Sequence, residues 1–266
     1  MGVTSTARTA VDEAFCRRDA AGARLAEEAE RIATACQEMA ERFRRGGKLI
    51  VFGSGGAGTD ASHVAVEFMH PVIMGKRALP SIALSNDAAT VTGVSGRDGP
   101  AEAFAHQVRR FAEPVDMALG ISPDGDCPAV LRGLEAAHEL GLYTLALTGG
   151  DGGAVARSPA VAQALVADSR DPAVVKEIHV TVYHVLWELV HVFHARAGAA
   201  CVTCADEARP AQVMRELGDG MALVDLGGTH EHVSVALVDA GVGDTVLVHA
   251  KEAIAVTRKA GADGDR

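Results

Sequence analysis

Gly53-Ser54-Gly55-Gly56 follows a short apolar run and opens a helical segment that carries His63 and Glu67 four residues apart. A glycine turn between a strand and a helix lets backbone N–H groups approach an anion, and the helix start adds its dipole. The same turn also serves plain chain reversal, so on its own it decides little. A dinucleotide-binding reading fails, because the glycine spacing is wrong and no ribose-binding acid ends the next strand. His63 and Glu67 share one helix face. That spacing suits an exposed ion pair as well as a ligand or acid–base couple. Lys176 and His184, eight apart, share a face of a later helix. Further on, Cys201 and Cys204 have CxxC spacing, as in half a zinc site or a redox pair. No second CxxC or His pair follows at zinc-finger distance, and no thioredoxin-like βαβ pattern surrounds it. His230 and His232 are the nearby candidates.

The elements that must position these residues change character along the chain. From Leu25 to Phe43 apolar residues recur every three or four positions, the mark of an amphipathic helix, and Gly46-Gly47 stops it. Short apolar runs then alternate with helical segments: 48–52, 81–85, 116–122, 143–148 and 163–167. Strand, turn and helix repeated about five times predict an α/β fold, a doubly wound parallel five-stranded sheet with helices on both faces. A long helix from Pro172 to Ala197 closes this part, giving a first domain over 1–197. After Gly198 the runs become short and β-like (211–216, 221–225, 232–237, 245–249) with glycine turns between them. They predict a small all-β barrel over 198–266.

Composition narrows the function. The 266 residues are 48% hydrophobic and 23% charged, with a net charge of −10. Cutting at Ala200 leaves 24 acidic and 19 basic residues before it, and 11 and 6 after it, about −5 each way. No basic stripe offers itself to nucleic acid. No apolar stretch approaches the ~18 residues of a membrane span, and the N-terminus has no secretory h-region. The five cysteines, an odd number and mostly far apart, read as reduced cytoplasmic thiols.

The segment Gly53–Glu67, Asn86-Asp87, GISPDGD (120–126), ALTGGDGG (146–153) and KEIHVTVYH (176–184) together resemble the SIS (sugar isomerase) domain, specifically its phosphoheptose isomerase branch. The resemblance runs from about residue 10 to 195. It implies a sugar-phosphate-like ligand bound by Ser54, Gly55, Gly56, Asn86, Asp87, Ser122 and Lys176, and a homo-oligomer. Aldose–ketose isomerisation needs a base to take a proton beside the carbonyl and an acid to protonate the oxygen; by resemblance these are Glu67 and His184. It also implies a zinc site at His63, Glu67, His184 and the position of Lys176. Here the chain departs from its relatives, which carry a neutral amide there; a protonated lysine donates hydrogen bonds and cannot ligate. The phosphate loop departs too. Ser122-Pro123-Asp124-Gly125-Asp126-Cys127 stands where relatives carry hydroxyl-rich Ser-Thr-Ser-Gly-Asn-Ser. At about 4 Å, like charges repel by on the order of 1 kcal/mol in water and more when buried.

From Cys201 to about residue 258 the chain resembles the HypC/HupF family of hydrogenase maturation chaperones. The resemblance rests on Cys201, Pro210 with its strand, ALVDLGGTHEHVSVALV (222–238) and VGDTVLVHAKEAIA (242–255). It implies an iron centre with cyanide and carbon monoxide ligands, held transiently by Cys201, with Cys204 as second choice and His249 in support. The implied partners are a HypD-type maturation protein and the hydrogenase large subunit. Stand-alone relatives begin Met-Cys, whereas this cysteine lies within a fused chain. Two functions follow as expectations: a nickel–iron hydrogenase maturation factor with a carbohydrate-binding SIS domain, or a phosphoheptose isomerase with an accessory interaction module.

Overall fold

Five short strands of the first unit are buried at nearly every position, because helices cover both faces of their sheet. They are β1 (Leu49–Gly53), β2 (Ser81–Ala83), β3 (Met117–Ser122), β4 (Tyr143–Gly149) and β5 (Gln163–Ala167). All pairings are parallel, in the order β2-β1-β3-β4-β5. This computed structural model describes residues 5–73, 76–197, 208–249 and 251–260. The chain divides into one unit of residues 1–70 and 78–194 and a second of 71–77 and 195–266. Among the described residues, no helix is long and apolar enough to cross a membrane.

The helices are α1 (Ser5–Glu27), α2 (Ala29–Arg44), α3 (Gly56–Met69), α4 (Ala88–Asp98), α5 (Glu102–Phe111), α6 (Pro128–Glu139), α7 (Gly153–Arg157) and α8 (Pro172–Ala197). Side chains alternate across a strand, so β1 serves two cores. Leu49 and Val51 pack with Met39 and Phe43 of α2, Phe68 of α3 and Trp187 of α8. Ile50 and Phe52 face Phe104 of α5 and Leu134 of α6. The helical pattern expected from Leu25 is interrupted at Glu28 (φ −86°, ψ 12°), so Leu25 lies in the last turn of α1 and Ile32 to Phe43 belong to α2. Gly46, at φ 88°, ends α2 with the Gly47 N–H returning to the Arg42 carbonyl at 2.9 Å.

The strand order has a functional consequence. Chain direction across the sheet reverses between β1 and β3, and in open α/β sheets ligands bind in the crevice at the carboxyl ends of such strands. The two loops there are Gly53–Gly56 and Ser122–Cys127.

The second unit closes a barrel in the order β10-β8-β7-β6-β9, from β6 (Arg209–Gly218), β7 (Met221–Asp225), β8 (His230–Ser234), β9 (Thr245–His249) and β10 (Glu252–Arg258). Val213, Val224, Val233, Val246 and Val248 point inward and form its core. Closure satisfies edges that a four-stranded piece would leave open. Strand β10 has no counterpart among the β-like runs marked by sequence. The turn before it places Lys251 at φ 66° rather than a glycine, so no composition signal announces it. The run expected over 232–237 is displaced to His230–Ser234, and Leu237 is exposed.

Packing under the crevice is tight enough to test. A Cβ at Gly133 of α6 would lie 2.7 Å from the Phe52 ring, which stacks on Phe104 at 5.3 Å. Gly133→Ala is expected to destabilise the protein by about 1–3 kcal/mol through overpacking, read as a lower denaturation midpoint in urea.

Candidate functional site

The crevice starts where β1 meets α3. Gly55 takes φ 59°, and a Cβ on Gly53 would come within 2.7 Å of the Ala57 carbonyl oxygen, so only glycine lets helix and strand approach this closely. A cavity of about 480 Å³, within the size range of small-molecule sites, is lined by Ser54, Gly55, Thr59, Ser62, Ser85 and Asn86, among others. Ser62 Oγ lies 2.5 Å from Asn86 Oδ1, joining α3 to the turn after β2. Asp87, expected to bind substrate, uses its carboxylate as the N-cap of α4. It accepts the Thr90 N–H at 3.1 Å and the Thr90 hydroxyl at 2.5 Å, which hold it below the usual carboxylate range. It borders a neighbouring groove rather than this cavity.

One turn further along α3, His63 and Glu67 meet His184 of α8. One ligand atom from each lies within 4.8 Å of the other two. Glu67 Oε1 is 3.2 Å from His63 Nε2 and 3.9 Å from His184 Nε2. Two contacts fix this geometry. The Trp187 indole N–H donates to the Glu67 carbonyl at 2.8 Å, and the Tyr183 hydroxyl bonds His63 Nδ1 at 2.8 Å. Burial pushes the Tyr183 phenol upward, so it is protonated at neutral pH. Two imidazole nitrogens and a carboxylate, with the Tyr183 oxygen positioned to accept from His63 Nδ1–H and so leave Nε2 free to ligate, fit a three-ligand metal site with a position left for ligand.

Lys176 is engaged elsewhere. Its ammonium pairs with buried Asp60 at 2.6 Å and lies 3.5 Å from both the Gly56 carbonyl and the Thr59 hydroxyl. It therefore neutralises a carboxylate beneath the glycine turn, and the convergent donor set is three residues. Nearby, His179 is buried and its Nε2 lies 3.0 Å from the Thr148 carbonyl. Since a carbonyl only accepts, Nε2 carries the proton. Burial lowers the pKa of His179 and keeps it neutral.

Ser122, expected to bind substrate, is fully buried, and its hydroxyl lies 3.1 Å from Asp124 Oδ1. Cys127, at the start of α6, joins the two loops of the crevice, with Sγ 3.5 Å from Ser54 Oγ. In the second unit His249 ends β9 and is half-buried. Cys201 and Cys204 lie outside the described residues. Asp60 and Tyr183 did not emerge from the sequence reading. Their partners lie 116 and 120 residues away, and no local spacing records such pairs.

The SIS domain family model matches residues 19–149, and the HupF/HypC family model matches residues 208–263. A phosphoheptose isomerase of Roseiflexus sp. (strain RS-1) is 35% identical over 186 residues, covering 70% of this chain and 93% of that protein. One from Aquifex aeolicus is 36% identical, covering 61% and 84%. The solved phosphoheptose isomerase of Francisella tularensis superposes with a TM-score of 0.65 at 30% identity, over 71% of this chain and all of that one. The enzyme from Neisseria gonorrhoeae gives 0.63 at 26%, over 70% and 98%.

Tyr183→Phe removes the hydroxyl that orients His63. It is expected to weaken zinc binding by about ten- to a hundredfold, measured by competition with a chromophoric chelator, with the far-ultraviolet circular dichroism unchanged. Equal zinc affinity in the two proteins would show that Tyr183 does not support a metal site.

Proposed function

Because the chain belongs to the phosphoheptose isomerase family through its first unit and carries a HupF/HypC-family domain after it, we propose that it is a nickel–iron hydrogenase maturation factor. In this reading the barrel is an iron-centre chaperone, and the SIS unit binds a carbohydrate derivative in the crevice at the carboxyl ends of β1 and β3. The observation that carries it is the coincidence of the HupF/HypC match with a closed barrel that has its own core of inward valines. Its cargo is an iron centre bearing cyanide and carbon monoxide, and the thiolate of Cys201, or else Cys204, is the donor suited to low-spin iron with such ligands. The partners are a HypD-type protein that delivers the centre and the hydrogenase large subunit that receives it, in the cytoplasm. The SIS unit forms a homo-oligomer.

A second reading, that the chain is an aldose–ketose isomerase with an accessory module, is favoured by the convergence of His63, Glu67 and His184. In that reading Glu67, its side chain 14% exposed and flanked by two imidazoles, takes the proton beside a carbonyl, and half-exposed His184 returns one to the oxygen. A divalent ion held by these three residues would polarise that carbonyl.

Full-length protein co-produced with the maturation machinery and purified without oxygen is expected to show infrared bands of iron-bound cyanide and carbon monoxide. Cys201→Ala is expected to lose them together with co-purifying HypD-type partner. Unloaded wild type under these conditions overturns the chaperone reading. Turnover of sedoheptulose 7-phosphate that disappears in Glu67→Gln establishes the isomerase instead.

A further inference from the structure

The loop after β3 is where an anion would meet free backbone donors beside a helix start, yet its donors already hold an anion of the chain itself. The Asp124 carboxylate accepts the Ser122 hydroxyl at 3.1 Å and the Asp126 N–H at 3.0 Å. The Gly125 N–H donates to the Ser122 carbonyl at 2.9 Å, and the Cys127 N–H to Ser122 Oγ at 3.2 Å. Pro123 has no N–H to give. Asp126 turns the other way and accepts the Ala154 N–H at the start of α7 at 2.8 Å. These bonds hold Asp124 below the usual carboxylate range, so it is ionised at neutral pH.

The neighbouring cavity is lined by uncharged polar groups rather than by cations. Two of its hydroxyls give their hydrogens to the backbone, Thr59 to the Gly56 carbonyl at 2.6 Å and Ser85 to the Gly53 carbonyl at 2.8 Å, and the Ser62 hydroxyl gives its hydrogen to Asn86 Oδ1 at 2.5 Å. These three hydroxyls offer oxygen lone pairs to a ligand's O–H or N–H groups, and the Ser54 hydroxyl and the Asn86 amide remain as neutral donors. Among the described residues, no lysine, arginine or histidine lines the cavity. The nearby ammonium, on Lys176, is paired with Asp60. At the start of α3, the Ala57 and Gly58 N–H groups turn back to the Ser54 and Gly55 carbonyls at 3.1 and 3.0 Å.

We infer that this cavity takes a phosphate-free, hydroxyl-rich carbohydrate derivative, and that Asp124 is the specificity-determining residue, its carboxylate filling the place of the ester phosphate. The inference rests on the reading of the crevice as a carbohydrate site and names its ligand class. Phosphate esters of the same sugar meet a cradle already filled by a like charge, whereas free sugars meet uncharged hydroxyl and amide partners in the cavity.

The test is calorimetric titration of the full-length protein with a matched pair, sedoheptulose and sedoheptulose 7-phosphate. The wild type is expected to bind the free sugar at least about tenfold more tightly, equivalent to about 1.4 kcal/mol. Asp124→Ser is expected to move the ratio of the two affinities at least about tenfold toward the ester. Asp124→Asn, which keeps the shape and removes the charge, is expected to move it in the same direction. Tighter binding of the ester by the wild type overturns the inference while leaving the carbohydrate reading intact. So does a ratio that neither variant changes. Binding of neither sugar by any of the three proteins overturns the carbohydrate reading itself, and the inference with it.

Discussion

Two hydrogen bonds between α8 and α3 hold the candidate site together. The Trp187 indole N–H reaches the Glu67 carbonyl, and the Tyr183 hydroxyl reaches His63 Nδ1. Both aromatic side chains sit in the apolar core beneath the sheet, where Tyr183 is 1% and Trp187 6% exposed. Low local dielectric strengthens a satisfied bond and makes an unsatisfied one costly, so the two helices have one register in which both bonds close. That register brings His184 against the His63–Glu67 pair. The same register sets Lys176, two turns earlier on α8, against Asp60, one turn earlier on α3. The three-ligand set and the ammonium–carboxylate pair are thus two consequences of one helix pairing.

The electrostatics of the crevice follow from what each cation and anion already has for company. Asp60 is buried, and an isolated buried carboxylate would be strongly disfavoured; Lys176 supplies the counter-charge. Asp124 draws on the loop's own hydroxyl and N–H donors, and Asp126 on the start of α7. The site keeps the shape common to phosphosugar folds, while its lysine is neutralised by Asp60 and Asp124 keeps its negative charge among uncharged donors. Shape and charge are separable, because the backbone turn depends on glycines such as Gly125, whose Cβ would lie 2.1 Å from the Gly152 carbonyl oxygen. The charge depends on side chains that can change without disturbing that turn.

The two units rest on different packing solutions. The first buries both faces of a parallel sheet between helices. The second closes five strands on themselves, so five alternate valines suffice for its centre. A small β unit with open edges would expose unpaired backbone groups. Closure through β10 removes them and gives the second unit a core separate from the sheet's.

Much of this was already legible in the sequence. The spacing of apolar runs against helical segments gave the five parallel strands, because a strand buried on both faces must be apolar along its length. Asp171-Pro172 marked the start of α8, where Asp171 accepts the Ala173 N–H. His63 and Glu67 declared a shared face by spacing alone. Strand β10 stayed hidden because its turn uses Lys251 in a conformation that glycine usually signals. Only the tertiary structure decided that His184 joins His63 and Glu67, that Lys176 answers Asp60, and that Asp124 closes on the loop's own donors. The reason is physical. Periodicity records which residues share one helix or strand face, whereas these contacts join α3 to α8, or depend on how a turn aims its N–H groups, and neither leaves a periodic trace.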